Sequence, residues 1–586
     1  MKKIFTFLLL LSSFASLAEG GKNLTPANTG PANGVNQFVG YLQNGDANNS
    51  LTFLAAPTEP NFNADHRLKV RIKPGEVLYF GLARNDVNGV VNNTVRIQLR
   101  RLDNNTVVSV TDLFSTDGVN LDAATGVIST YAQMVAGPSA IVGGAGYNAL
   151  SYTYPVIESS AIDLAIEILD DGTVAGGLRA STNRDYYNLW DFSVYSGTTE
   201  KKGRLHAKYW SFNATSATNR LSSSFSLFTA VPNQSGNNFY IKSINLSGMQ
   251  PFGFFFTSNA SGTFTDATGN LTTDYKKRRK SRSFYAGVFD DGYPQYDNFV
   301  NDPDQEFWPT ASIVNPVIVP VSKCNISRPN GGAMDISLTV TAPGVAILLL
   351  DLNNVDGYQP GTKDVLIESE IASLGTSVVT WDGLDGLGAN VPSGTAFKTI
   401  FRYGSFPVHY PIYDAENNSD GFAIFDYRPA PPATPAIAFW DDSSVVTGSA
   451  EIFGITSSGA VHPWGGSGTG ILAPNIGDTR LFNTWIYGQL REFRSTYLHT
   501  YSCITLPPVA NNFTNLPMPQ TNGATLIPAL VASDPDGTID SYNILTIPPV
   551  SEGVLSYCSN GTEPCTGTVT VITPGTVLSP AQINTL

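Results

Sequence analysis

Val379-Thr-Trp-Asp-Gly-Leu-Asp-Gly-Leu-Gly-Ala-Asn-Val-Pro-Ser-Gly394 is the stretch on which the reading of this chain turns. The β-branched Val379 and Thr380 lead into Trp381, a dense run of aspartate and glycine follows, and an extended run resumes over 395–401. Glycine supplies the positive backbone angles of tight turns, and aspartate closes such turns through its own backbone. The stretch predicts a β-hairpin with a long, glycine-pinned loop at the edge of a small β-sandwich.

The rest of the chain has the composition of such a fold. Only 14% of its 586 residues are charged, while it holds 54 glycines and 37 prolines, which suits many short strands joined by turns. No window of helix length carries a convincing helical period. The expected fold class is all-β, with several tandem β-sandwich (immunoglobulin-like) domains, each long enough to bury its own core. A net charge of −14 argues against nucleic acid as a partner, because phosphate binding needs a basic face.

Lys2 and Lys3 precede an apolar run from Ile4 to Leu11, and Ser16-Leu17-Ala18 ends it with a small-x-small pattern. This predicts a secretory signal peptide over residues 1–18. The apolar run is too short for a bilayer core of roughly 30 Å, and no other stretch approaches the ~20 apolar residues of a transmembrane helix. The expected location is secreted or on the cell surface. Four cysteines in an exported chain predict two disulfides. Cys558 and Cys565 flank a short turn and pair locally, stabilising by roughly 2–3 kcal/mol through chain entropy. Cys324 and Cys503 then tie the two ends of a central module, a loop worth about 5 kcal/mol on the same basis. A zinc site is the weaker reading, since there is no Cys-x-x-Cys and the five histidines are scattered.

Alternating apolar and polar residues mark further strands. Leu68, Val70 and Ile72 alternate with charged neighbours, and a turn at Pro74-Gly75 leads into a second run, which predicts a hairpin. The first module is placed at 22–180 and a second at 181–320, where Leu189–Tyr195 and Gly203–Phe212 set aromatics on one face. A third, immunoglobulin-like module covers 322–505. A fourth segment, 510–586, begins with Ala532-Ser-Asp-Pro-Asp-Gly and carries Leu578-Ser-Pro-Ala-Gln582 near its end.

The Val379–Gly394 stretch resembles the signature of the immunoglobulin-like module in the flagellar hook-capping protein family. With Phe439-Trp-Asp-Asp, His462-Pro-Trp and Gly477–Tyr487, it is similar to large modular surface proteins of Bacteroidota-type bacteria over about 180–505. The segment 510–586 resembles the start of a cadherin-like or immunoglobulin-like tandem repeat, cut before the sandwich closes. These likenesses imply structural and adhesive modules rather than catalytic ones.

Candidate sites are therefore binding sites. Calcium takes six to eight oxygen ligands in flexible geometry. One candidate loop carries Asp351, Asn353 and Asp356 with Asp364 downstream, and another carries Asp534, Asp536 and Asp540. The competing reading of each is ordinary turn chemistry, which is also the reading preferred for Asp382 and Asp385. No catalytic constellation is expected. Gly466-Ser-Gly-Thr-Gly470 precedes no helix, and neighbours such as Asp290/Asp291 or Asp441/Asp442 point to opposite faces of a strand. Tyr293, Tyr296, Trp308 and Trp464 are candidate sugar platforms, against the commoner role of core aromatics. The basic run Lys276–Lys280 with Arg282 reads as a solvated loop, a processing site or a contact for anionic polysaccharide. The expected function is exported, non-catalytic adhesion or scaffolding toward a surface polysaccharide or protein ligand. The alternative is a polysaccharide-binding or polysaccharide-degrading accessory protein.

Overall fold

The computed structural model describes residues 19–24, 41–43, 64–85, 95–114, 125–170, 186–213, 220–263, 274–283, 294–325, 328, 331–429, 432–503, 508–512, 514, 524–534 and 538–586. The signal pattern over 1–18 lies outside these residues, as do Asp290, Asp291, Tyr293 and Asp536.

The fold is all-β, built from several separate antiparallel sheets. It divides into two compact units. The larger comprises 1–315, 342–345 and 403–491, and the other comprises 316–341, 346–402 and 492–586.

In the larger unit two sheets bury one apolar cluster. Strands Leu68–Ile72, Val95–Arg101 and Ile162–Asp170 belong to one sheet, and Val77–Asn85, Tyr186–Ser196 and Tyr209–Asn213 to the other. Leu68, Val70 and Ile72 join Leu78, Phe80, Phe192 and Trp210 in this core. The hairpin expected at Pro74-Gly75 is therefore a corner between sheets. Strand Leu68–Ile72 pairs with Leu205–Ala207 and Ile162–Asp170, while Val77–Asn85 pairs with Leu150–Thr153 and Tyr186–Ser196. Both runs carry an apolar face, and folding one over the other buries both faces in one core, which a flat hairpin does not do.

The same pairings cross residues 180 and 181. Leu205 stands opposite Val70, so the segments 22–180 and 181–320 share a pair of sheets. Strands Ala423–Arg428 and Ile437–Trp440 join these sheets too, although the sequence reading groups them with the module 322–505.

The second unit holds the Val379 stretch. Strand Gly332–Val340 lies between Val317–Cys324 and Gly375–Trp381, with Ile336 opposite both Pro320 and Val379. The strand entering Trp381 does not return as a hairpin partner, because Thr395–Tyr413 belongs to a different sheet. Trp381 is buried, with Phe397 edge-on at 5.7 Å and His499 at 5.0 Å. The expected disulfide Cys324–Cys503 closes this module across 179 residues. Among the described residues of 508–586 the chain forms three two-stranded sheets, Ile572, Leu578, Ile583 and Leu586 make a small core, and Cys558 pairs with Cys565.

Candidate functional site

Two loops of the second unit brace each other. Asp364 anchors the first. Its Oδ1 accepts from the Leu352 and Asn353 amides at 3.0 and 3.2 Å, and its Oδ2 from Gln359 N and Asn353 Nδ2, both at 3.1 Å. The Asn353 side chain also donates to Gln359 Oε1 and Thr362 Oγ1 and accepts from Val355 N. One aspartate and one asparagine thus organise the whole turn from within.

The second loop follows Trp381. The indole N–H donates to Leu384 O at 2.8 Å, Asp382 Oδ1 accepts from Leu384 N, and Asp385 Oδ1 accepts from Leu387 N and Ala389 N. The loops join where Gly386 N donates to Lys363 O at 2.8 Å. A Cβ at Gly386 would stand 2.4 Å from the carbonyl oxygens of both Thr362 and Asp364, so the junction requires glycine. Their tips carry apolar side chains outward, with Val355 57% and Leu387 63% exposed. Asp356 lies beside them and faces Arg494 at 3.7 Å.

The four residues expected to hold calcium in the first loop thus have distinct surroundings. Asp364 is spent on N–H donors, Asn353 turns its amide nitrogen toward Asp364, and Asp356 is exposed. Asp351 is buried, and its Oδ1 has no hydrogen-bond partner. Among the described residues no three His, Cys, Asp or Glu side chains converge as a metal-ligand group. In the second expected loop Asp534 is half-buried and Asp540 exposed.

A polar chain that the sequence reading did not assemble lies in the core of the larger unit. His462 Nε2 meets Asp442 Oδ2 at 3.0 Å, and its Nδ1 meets Thr484 Oγ1 at 2.7 Å. Ser281 donates to Asp442 Oδ1 at 2.6 Å, and Trp440 stacks on the imidazole at 4.9 Å. Burial alone would raise the Asp442 carboxyl, but the His462 charge and hydrogen bond, with the Ser281 hydroxyl, hold it below the usual carboxylate range. Hydroxyl, imidazole and carboxylate in series are the parts of a nucleophilic triad. Here Thr484 and His462 are 0% exposed and Asp442 3%, so a substrate cannot reach the hydroxyl. Asp441 belongs to a separate contact, with Lys280 at 3.6 Å.

The candidate sugar platforms Tyr296, Trp308 and Trp464 are core residues. Trp464 stacks on Phe482 at 4.5 Å, and Trp308 meets Phe299 edge-on at 4.8 Å. The basic run is partly internal too. Arg279 is buried, donates to the Tyr487 hydroxyl at 2.9 Å, and lies over the Trp485 and Tyr275 rings. Aromatic faces stabilise a buried guanidinium, which explains how a charge cluster can turn inward.

A cavity of about 280 Å³ opens in the second unit, lined by Ile318, Met334, Ile336, Leu348, Phe401 and Phe493 among others. Its walls are largely apolar, with Thr399, Ser495 and Tyr497 supplying the hydroxyls. Among the described residues no helix is long and apolar enough to cross a membrane. Comparison of the chain with protein-family models, with curated proteins and with solved structures returns no match.

Proposed function

We propose that this chain is an exported, non-catalytic cell-surface protein that acts in adhesion or as a modular scaffold, and that it holds its ligand on loops of the second unit. The observation carrying this reading is the braced loop pair. Loops that satisfy their own backbone groups and lock each other through Gly386 and Lys363 have little freedom left to lose on binding. Their exposed Val355 and Leu387 then offer apolar contact to a surface polysaccharide or protein.

Export is supported by the two disulfides, which persist in oxidising compartments, and by the pattern over residues 1–18. The likeness of the Trp381 loop to hook-capping-type modules and of the wider chain to Bacteroidota-type surface proteins fits the same reading. Calcium is a finer part of the proposal, placed at the Asp351 loop. The buried Asp351 Oδ1 without a hydrogen bond is the atom that would benefit from a cation. The alternative role in polysaccharide binding or degradation draws on the same loop pair as a sugar-facing surface.

Cell fractionation with protease shaving of intact cells tests the location. The proposal expects the chain outside the cytoplasm and cleaved by external protease. Recovery in the cytoplasm with reduced cysteines would contradict it.

A further inference from the structure

Strand Tyr186–Ser196 carries at its centre a carboxylate in an unfavourable setting. Asp191 is 0% exposed, as are Glu19 and Ser193. Tyr147 donates its hydroxyl proton to Asp191 Oδ2 at 2.8 Å, and Ser193 donates to Oδ1. These are neutral donors. The cation acting on Asp191 is Lys22, itself buried, with an Nζ that makes no hydrogen bond. A buried charge without a bonded counter-charge is costly, and both members of this pair are in that state.

The segment Glu19–Leu24 lies along this strand. Phe192 N donates to Glu19 O at 2.9 Å, and Gly20 forms an antiparallel bridge with Asp191. A Cβ on Gly20 would stand 2.2 Å from Trp190 O, so only glycine permits so close an approach. The Glu19 carboxylate accepts from Gly203 N and Arg204 N at 3.0 and 3.1 Å, and from Asn301 at 3.4 Å. Leu24 enters the main core, and Ser222 donates to its carbonyl at 2.6 Å. The Glu19 backbone nitrogen donates to Ser193 Oγ, the hydroxyl that in turn donates to Asp191. In the sequence Glu19 directly follows Ala18, where the leader pattern ends.

We propose that leader removal between Ala18 and Glu19 is a structural step, in which the freed α-ammonium of Glu19 docks on Ser193 and Asp191 and completes a buried ion pair. This rests on the export reading above. A leader-cleaving protease spends one water on the bond: its oxygen ends in the Ala18 carboxylate, and the Glu19 nitrogen takes up protons. An amide nitrogen brings one proton and no charge to Ser193, whereas the ammonium brings three protons and a full charge. Burial pushes the carboxyls of Asp191 and Glu19 up to about 7 and about 8, and drives Lys22 down to about 8. Burial disfavours each of these charges singly, and a cation bonded directly to Asp191 favours its charged form. The Gly203 and Arg204 amides hold the Glu19 carboxylate, which keeps it from cyclising onto its own amine.

The test begins with the mass of the amino terminus of the protein recovered from outside the cell. A start at Glu19 is expected; a start elsewhere, or a pyroglutamate, overturns the proposal. A chain never exported or cleaved would remove the export reading itself. The chain made to begin at Glu19 is then compared with one begun at Ala18, each with and without Asp191→Asn. The Glu19 start should melt higher by about 5 °C or more, and Asp191→Asn should erase that difference. Equal melting of the two unsubstituted chains would overturn the proposal even where cleavage at Glu19 is found. Should Asp191→Asn fail to fold, amine-selective labelling of the wild-type chain decides. The Glu19 amine should resist reagent in the native state and react after denaturation, and equal labelling in both states would refute docking.

Discussion

The carboxylate of Asp442 and the imidazole of His462 meet at 3.0 Å inside the core of the larger unit, although the two residues lie on separate segments with strand Ile452–Thr456 between them. Removing one partner of a buried pair leaves the other uncompensated, which costs about 3–5 kcal/mol. Asp442→Asn and His462→Ala should each destabilise the larger unit by that order in denaturant titrations. The Asp442 carboxyl sits below its ordinary range when folded, so its contribution is present above the unfolded value of about 3.9 and is lost as pH falls through the folded one. Unchanged midpoints in both variants would show that the pair is idle.

His409 adds to this loss of stability on the acid side. Burial, then the charges of Arg279 and Arg278, drive its imidazole down to about 3, with the Asn483 hydrogen bond opposing them. Between pH 6.5 and 3 the unfolded chain binds a proton that the folded chain refuses. Stability therefore falls as pH drops through that window, by up to about 5 kcal/mol. His409→Gln should flatten the acid limb of a stability–pH curve of the larger unit. A limb of the same slope would assign acid sensitivity elsewhere.

The disulfide Cys324–Cys503 joins the first strand of its module to the chain beyond the last. Its 179-residue span predicts a loss of about 5 kcal/mol on replacement of both cysteines by serine. Loss of the Cys558–Cys565 link, seven residues apart, should cost about 2–3 kcal/mol and act only on the C-terminal segment. Calorimetry of the two double variants checks both size and order, and an equal effect would contradict the loop-length argument.

Asp364→Asn tests the loop lock. The amide removes a carboxylate that accepts four N–H donors and should cost about 1–3 kcal/mol. If calcium is held at Asp351, chelator should lower the melting temperature of the wild-type chain, and Asp351→Asn should abolish that response. A melting curve indifferent to chelator would remove calcium from the account.

Much of the fold class is legible from local pattern, because Leu68, Val70 and Ile72 alternate and Asp382 to Gly394 is dense in turn residues. Strand partners are not. A period of two marks which side of a strand is apolar, not which neighbour it pairs with, so Val70 gives no sign that it stands opposite Leu205. The pairing of Cys558 with Cys565 is suggested by their short spacing, which leaves Cys324 and Cys503 as the second pair, and both disulfides form. Trp464 and Trp308 take the commoner role of core aromatics, whereas the inward turn of Arg279 is not legible, because a cation looks the same in sequence whether it faces water or an aromatic ring. His462 and Asp442 belong to separate sequence motifs, and nothing local in the sequence joins them.

The most direct test is retention of the chain from Glu19 onward on insoluble and cell-surface polysaccharides and on intact cell envelopes, with calcium and with chelator. It is run beside a Val355→Ser, Leu387→Ser double variant whose melting temperature matches. The account predicts that the wild-type chain is retained and the loop variant is not, with no release of soluble sugar. Equal retention of both chains, or sugar release by the wild type, would contradict a non-catalytic protein that binds through these loops.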